Sequence, residues 1–147
     1  MKKSLPPTYL LVALVAMGSL HVLWPIYRYW GFPLNMLGIA PVAFGGYLNV
    51  AADRQFKRHQ TTVKPFEEAS ALITGFPFSV TRNPMYLGMT LLLLGVALWL
   101  GTVSPVAPVV GFAILMDLHF VRVEEDMLAE RFGGEWERYR TEARRWL

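Results

Sequence analysis

A chain of 147 residues, 54% hydrophobic and only 17% charged, has room for one domain and too little charge for an ordinary soluble one. It contains no cysteine, which excludes disulfides, thiolate metal sites and a cysteine nucleophile. The net charge of +3 comes from Lys and Arg that flank apolar runs rather than forming one stripe, so the partner it implies is a lipid bilayer and not nucleic acid.

The charges fall in blocks, with most of them in Asp53–Glu68 and Glu124–Arg145, as in a polytopic membrane protein. The first apolar segment runs from about Pro7 to Ile26, enough to cross a hydrocarbon core of ~30 Å at ~1.5 Å per residue. Met1-Lys2-Lys3 before it resembles a signal peptide, but no small-residue cleavage site precedes Trp24-Pro25 and further spans follow. It is therefore read as the first membrane helix. Tyr27, Tyr29 and Trp30 follow as an interfacial aromatic belt. The second segment, about Leu34 to Ala52, carries Pro41 and Gly45-Gly46, which predict a kink and close approach to a neighbouring helix. Asp53–Gln60 is its polar exit from the membrane.

Thr61–Thr81, with Pro65, Gly75 and Pro77, predicts a structured loop with at most short helices. The third span starts at Asn83-Pro84, a favoured N-cap followed by a favoured first helical residue. It runs through Tyr86–Leu100 with Gly88 and Gly95 on one face. These glycines and Gly45-Gly46 suit internal packing or a homo-oligomer seam equally. Gly101–Pro105 is a tight turn into a fourth span, which begins near Val106 and continues past the membrane surface into Arg122–Phe132. Gly133-Gly134 ends it, and Glu135–Leu147 is a last short helix. Leu128, Phe132, Trp136, Tyr139, Ala143 and Trp146 recur at helical spacing, an amphipathic face for the membrane surface or the bundle.

The expectation is an all-α membrane bundle of about four spans plus a C-terminal amphipathic helix, in one domain over residues 1–147. Lys2, Lys3, the Arg54–Lys64 loop and the basic tail put both termini on the cytoplasmic side. Arg28–Pro33 and Gly101–Pro105 then face the other side, and the setting expected is a bacterial inner membrane.

Two places can carry chemistry. At Arg82–Gly88 a helix N-terminus and an Arg could hold a carboxylate or phosphate; the bland alternative is a capped helix start with Arg82 snorkelling to headgroups. At the end of the fourth span stand Glu124, Glu125 and Asp126, the last two read as a solvated surface paired with Arg122 or Arg131. Glu124 shares a helical face with Asp117, seven residues earlier. An ionisable group that deep in an apolar stretch faces a cavity or a partner, or is a hydrogen-bonded structural residue. Asn49 and Asp53, four apart on the second helix, could face one cavity, but an interhelical hydrogen bond is the preferred reading. His21 and His119 lack partners at ligand spacing, so no metal site is expected.

In order, these pieces resemble one family. Ala71-Leu72-Ile73-Thr74-Gly75-Phe76-Pro77-Phe78 with Arg82-Asn83-Pro84-Met85-Tyr86-Leu87-Gly88, then Glu124-Glu125 and Phe132-Gly133-Gly134-Glu135-Trp136 up to Tyr139, are similar to the paired cofactor motifs of integral-membrane methyltransferases. Those are the isoprenylcysteine carboxyl methyltransferase type, with relatives among phospholipid methyltransferases. The likeness covers about residues 61–147. It implies S-adenosylmethionine as cofactor, touched by Leu72, Ile73 and Phe78 from the loop, by Arg82, Asn83, Pro84, Met85 and Tyr86 at the helix start, and by Glu124. The residues themselves suggest a hydrophobic or amphiphilic methyl acceptor that enters laterally from the bilayer, with Asp117 as catalytic orienting group or base. The family's usual His is Asn83 here, its Tyr is Phe78, and the Arg of the eukaryotic enzymes falls on Phe120. The acceptor, and whether its nucleophile is O, N or S, stays open. The alternatives are a membrane reductase using NADPH and a non-catalytic membrane adaptor.

Overall fold

The computed structural model describes residues 5–147; the topology expectation for Lys2 and Lys3 lies outside the described residues. Among those residues the chain is helical, with isolated bridges and no strands. Helix α1 spans Pro6–Leu23, with proline in its first turn where no intrahelical donor is needed. It stops at Trp24, whose successor Pro25 disfavours a helical residue before it. A 3₁₀ turn, Leu34–Gly38, leads into α2, Ile39–Arg58. Helix α3 is Pro84–Leu100 and α4 is Val106–Met116; a π turn at Asp117–Val121 joins α4 to α5, Arg122–Phe132. Helix α6 is Gly134–Glu142.

Three of these are long and apolar enough to cross a membrane: Pro6–Leu23, Leu34–Arg58 and the continuous Val106–Phe132. Helix α3 is apolar but has 17 residues, a rise of roughly 25 Å. The outer faces present Leu11, Val12 and Val15 of α1, Phe44 and Val50 of α2, and Val110 and Ile114 of α4, as a lipid-facing surface requires.

Small residues bring α2 and α3 together. Gly45 lies against the backbone of Gly88, and Gly38 against that of Gly95, so a Cβ at any of the four would meet main chain. The glycines predicted to share a face on α3 thus meet α2 inside one chain, whereas Gly46 faces open space. No break falls at Pro41, which sits in the first turn of an unbroken α2; the change of path is the 3₁₀-to-α junction at Gly38–Ile39. Asn49 Nδ2 donates to its own helix at Gly45 O, 2.9 Å, rather than to a neighbouring helix, and Asp53 pairs with Lys57 one turn on in the same helix.

One core runs through the bundle, from Met17 of α1 to Leu93 of α3 and to Phe112, Met116 and Phe120 of the long helix. At the two-turn end, Tyr29 N donates to Gly101 O and Val103 N to Tyr27 O. The connections around Arg28–Pro33 and Gly101–Pro105 therefore lie side by side, and the charge-rich segments gather at the opposite end. A second core at that end joins Ala52, Ile73 and Phe78 to Trp136, Tyr139 and Ala143. In contact with water, burial of a side chain such as Phe78 contributes ~1.5–3 kcal/mol.

The tail departs from expectation. Helix α6 ends at Glu142, because Ala143 is extended, and the last residues run beside the start of α3 through a Thr81–Arg144 bridge. Leu128, Phe132, Trp136, Tyr139 and Ala143 do form one face, turned into the second core. Trp146 leaves it and packs on the first core.

Candidate functional site

At the charged end, the loop of residues 59–83, the start of α3, helix α5 and the tail enclose two adjoining cavities of about 360 and 250 Å³, the larger within the ordinary range of small-ligand sites. Phe56, Val63, Lys64, Phe78, Arg82, Asn83 and Glu124 line both. The larger is otherwise walled by the loop, α5 and α6, with Leu72, Ile73, Trp136 and Tyr139. The smaller reaches the first residues of α1 and the first turns of α3, with Leu5, Pro6, Pro7, Pro84, Met85, Tyr86 and Met89. All nine residues proposed from sequence to touch a cofactor, Leu72, Ile73, Phe78, Arg82, Asn83, Pro84, Met85, Tyr86 and Glu124, line one cavity or the other.

Glu124 accepts a 2.6 Å hydrogen bond from the Tyr86 hydroxyl. The neighbouring carboxylate, also on the wall of the larger cavity, is engaged within the protein. Glu125 is 7% exposed and binds Arg82 Nε at 3.0 Å and Arg145 Nη2 at 2.7 Å. This corrects its reading as a solvated surface group; Asp126 is exposed as expected. Arg82 also donates through Nη1 to the carbonyls of Arg140 and Ala143, and its guanidinium lies 5.7 Å from the Trp136 ring. It neither snorkels nor stands open for an anion: a buried guanidinium needs its partners, and the tail supplies them. Asn83 occupies the N-cap position without capping α3. Its Nδ2 donates to Arg145 O at 3.1 Å, so the first-turn amides of α3 have no side-chain cap. The Glu125 hydrogen bond holds the Arg145 guanidinium above its usual pKa, and burial pushes the Tyr139 phenol up, while its hydroxyl donates to Phe78 O.

Asp117 is not brought together with Glu124. It lines neither cavity; Trp146 Nε1 and Arg122 Nε donate to it, both at 3.0 Å. The π turn that begins at Asp117 holds one more residue than an α turn, which rotates Glu124 by roughly 100° from the shared face an unbroken helix would give. The catalytic expectation for Asp117 therefore does not carry forward. Arg145 and Thr81, which the sequence did not single out, and Tyr139, read there as part of an apolar face, tie the tail across the site. Thr81 Oγ1 donates to Arg145 O, and Arg82 N to Arg144 O at 2.8 Å. No cluster of metal-ligating side chains occurs among the described residues.

A family profile described as phospholipid methyltransferase matches residues 34–135. The chain is 32% identical to a phosphatidyl-N-methylethanolamine N-methyltransferase of Emericella nidulans over 90% of its own length and 52% of the relative's. It is 35% identical to the Saccharomyces cerevisiae protein of the same name, over 64% of this chain and 34% of that one. An uncharacterized protein of Haemophilus influenzae is 38% identical over its full length and 43% of this chain. The chain thus spans about half the length of the first relative and about a third of the second. No solved structure matches.

Proposed function

The chain belongs to the phospholipid methyltransferase family, and from that premise we propose that it transfers a methyl group from S-adenosylmethionine to the amine of a membrane phospholipid. It is an integral membrane protein, and the charge-rich end that holds the site is read as cytoplasmic by the bias of Lys and Arg. The observation that carries the proposal is the convergence of nine motif residues on two adjoining cavities, with Glu124 the one carboxylate on the walls of both.

The larger cavity fits the cofactor by the chemistry of its walls. Leu72, Ile73 and Phe78 offer apolar and aromatic surface for a flat base and a sulfonium. Glu124 offers an acceptor for hydroxyls or positive charge. When bound there, the cofactor supplies an electrophilic methyl carbon.

The chain's own work is alignment and exclusion of water. An amine headgroup arrives as an ammonium and must lose a proton before its nitrogen lone pair could take the methyl group, the carbon–sulfur bond then breaking with its electron pair left on sulfur as the thioether S-adenosylhomocysteine. Glu124, held by Tyr86 between the cavities, orients that nitrogen and receives its proton. The tail, fastened by Arg82, Glu125 and Arg145, closes the site against bulk water.

Calorimetry of the detergent-solubilised protein with S-adenosylmethionine, S-adenosylhomocysteine and NADPH tests the cofactor. Transfer of labelled methyl to phosphatidyl-N-methylethanolamine tests the reaction. Binding of the first two ligands with methyl transfer is expected; binding of NADPH alone points to a reductase, and binding of none to an adaptor.

A further inference from the structure

The smaller cavity has an uneven charge pattern. Most of its wall is apolar, from Leu5 and Pro6 of α1 to Met85 and Met89 of α3. The ionisable side chains on it, apart from the Tyr86 phenol, are Lys64, Arg82 and Glu124. Arg82 is committed elsewhere: its side chain is 9% exposed, its Nε is on Glu125, and Nη1 is on two carbonyls. One basic side chain from the loop and one carboxyl group from α5 therefore line the same chamber. Among the described residues Lys64 pairs with Glu67, at 3.2 Å, through side chains that are 72% and 49% exposed. Such exposed pairs contribute little, so Lys64 is at liberty to exchange partners.

A chamber with one positive and one negative pole in an apolar wall complements a ligand with the opposite poles and apolar tails. We propose that the smaller cavity is the headgroup site for a zwitterionic phospholipid, with Lys64 binding the phosphate and Glu124 the amine. The inference rests on the methyltransferase reading and deepens it, because it names the residue that makes the acceptor a phospholipid rather than any lipid amine. Lys64 acts here as a specificity residue. An ammonium is a point charge without the directional demand of a guanidinium, so arginine can replace it on a phosphate while a neutral amide cannot.

The test compares two acceptors in the same detergent micelle: phosphatidyl-N-methylethanolamine and a long-chain N-methylalkylamine, which has the nucleophile and no phosphate. The readout is the ratio of kcat/KM for the phospholipid to that for the simple amine. Effects of a variant on folding or cofactor binding act on both acceptors and cancel. In K64Q the ratio falls about tenfold, the worth of one charge-assisted phosphate contact, and in K64R it returns to near the wild-type value. An unchanged ratio in K64Q overturns the assignment of Lys64 and leaves the methyltransferase reading standing. So does an equal fall with both acceptors. Wild-type protein that binds S-adenosylmethionine and methylates neither amine overturns the acceptor chemistry itself, and this inference with it.

Discussion

The Tyr86 hydroxyl donates to the Glu124 carboxylate at 2.6 Å, joining the first turns of α3 to α5 where the two cavities meet. Each residue belongs to a different half of the sequence motif, and this is one of the contacts that join the halves, beside Arg82–Glu125 and Tyr139–Phe78. A carboxylate with one protein donor keeps acceptor capacity for a ligand.

Removing that carboxylate removes a charge-assisted contact. Glu124→Ala is expected to weaken S-adenosylmethionine binding by about 10- to 100-fold, measured by calorimetry. Unchanged affinity would remove Glu124 from the site. Tyr86→Phe leaves Glu124 in place without its donor, so it should lower methyl transfer more than cofactor affinity.

Arg82 and Glu125 make the opposite kind of pair, buried and fully engaged within the protein. Arg82→Met leaves Glu125 with Arg145 as its remaining cation and takes the donor from the Arg140 and Ala143 carbonyls, so it should destabilise the fold by ~1–3 kcal/mol. Arg145→Met, at a side chain 40% exposed, should cost about 1 kcal/mol or less. Thermal unfolding in detergent separates the two; equal shifts in Tm would argue against Arg82 as the centre of the network.

Asp117 gives a prediction from its distance to the cavities. Asp117→Asn keeps an acceptor for the Trp146 indole and loses the ion pair with Arg122. Activity should stay within about threefold of wild type, a change worth under ~1 kcal/mol. A fall of several hundredfold would restore the catalytic role that sequence spacing suggested.

The helix seam is tested by a pair of glycine substitutions. A Cβ at Gly95 would stand 2.5 Å from both Gly38 O and Val42 Cγ2, and the first of these is main chain that cannot rotate away. Gly95→Ala should therefore destabilise by ~1–3 kcal/mol through overpacking. Gly46→Ala, with nothing within 4 Å, should be neutral or stabilise by up to about 1 kcal/mol through helix propensity. Unfolding midpoints that move together would mean the α2–α3 seam is looser than its backbone contacts indicate.

Much of this was legible in the sequence. Charge segregation and span length announce a membrane bundle without reference to contacts, since the bilayer demands apolar runs of a set length. Asn83-Pro84, Gly101 and Gly133 mark helix ends because backbone geometry there depends on the residue itself. Lining residues were readable as well, from Leu72 to Glu124, through an ordered motif.

What spacing could not determine was which side chains face each other. Asp117 and Glu124 share a face only if the helix between them is regular, and a single π turn removes that condition. Glu125 reads as surface until Arg82 and Arg145, 43 and 20 residues away in sequence, close over it. Composition and local backbone preference act within a few residues, so the membrane class and the motif follow from sequence alone. Burial of a charge depends on partners distant along the chain, so the roles of Arg82, Glu125 and Asp117 were decided by the tertiary structure.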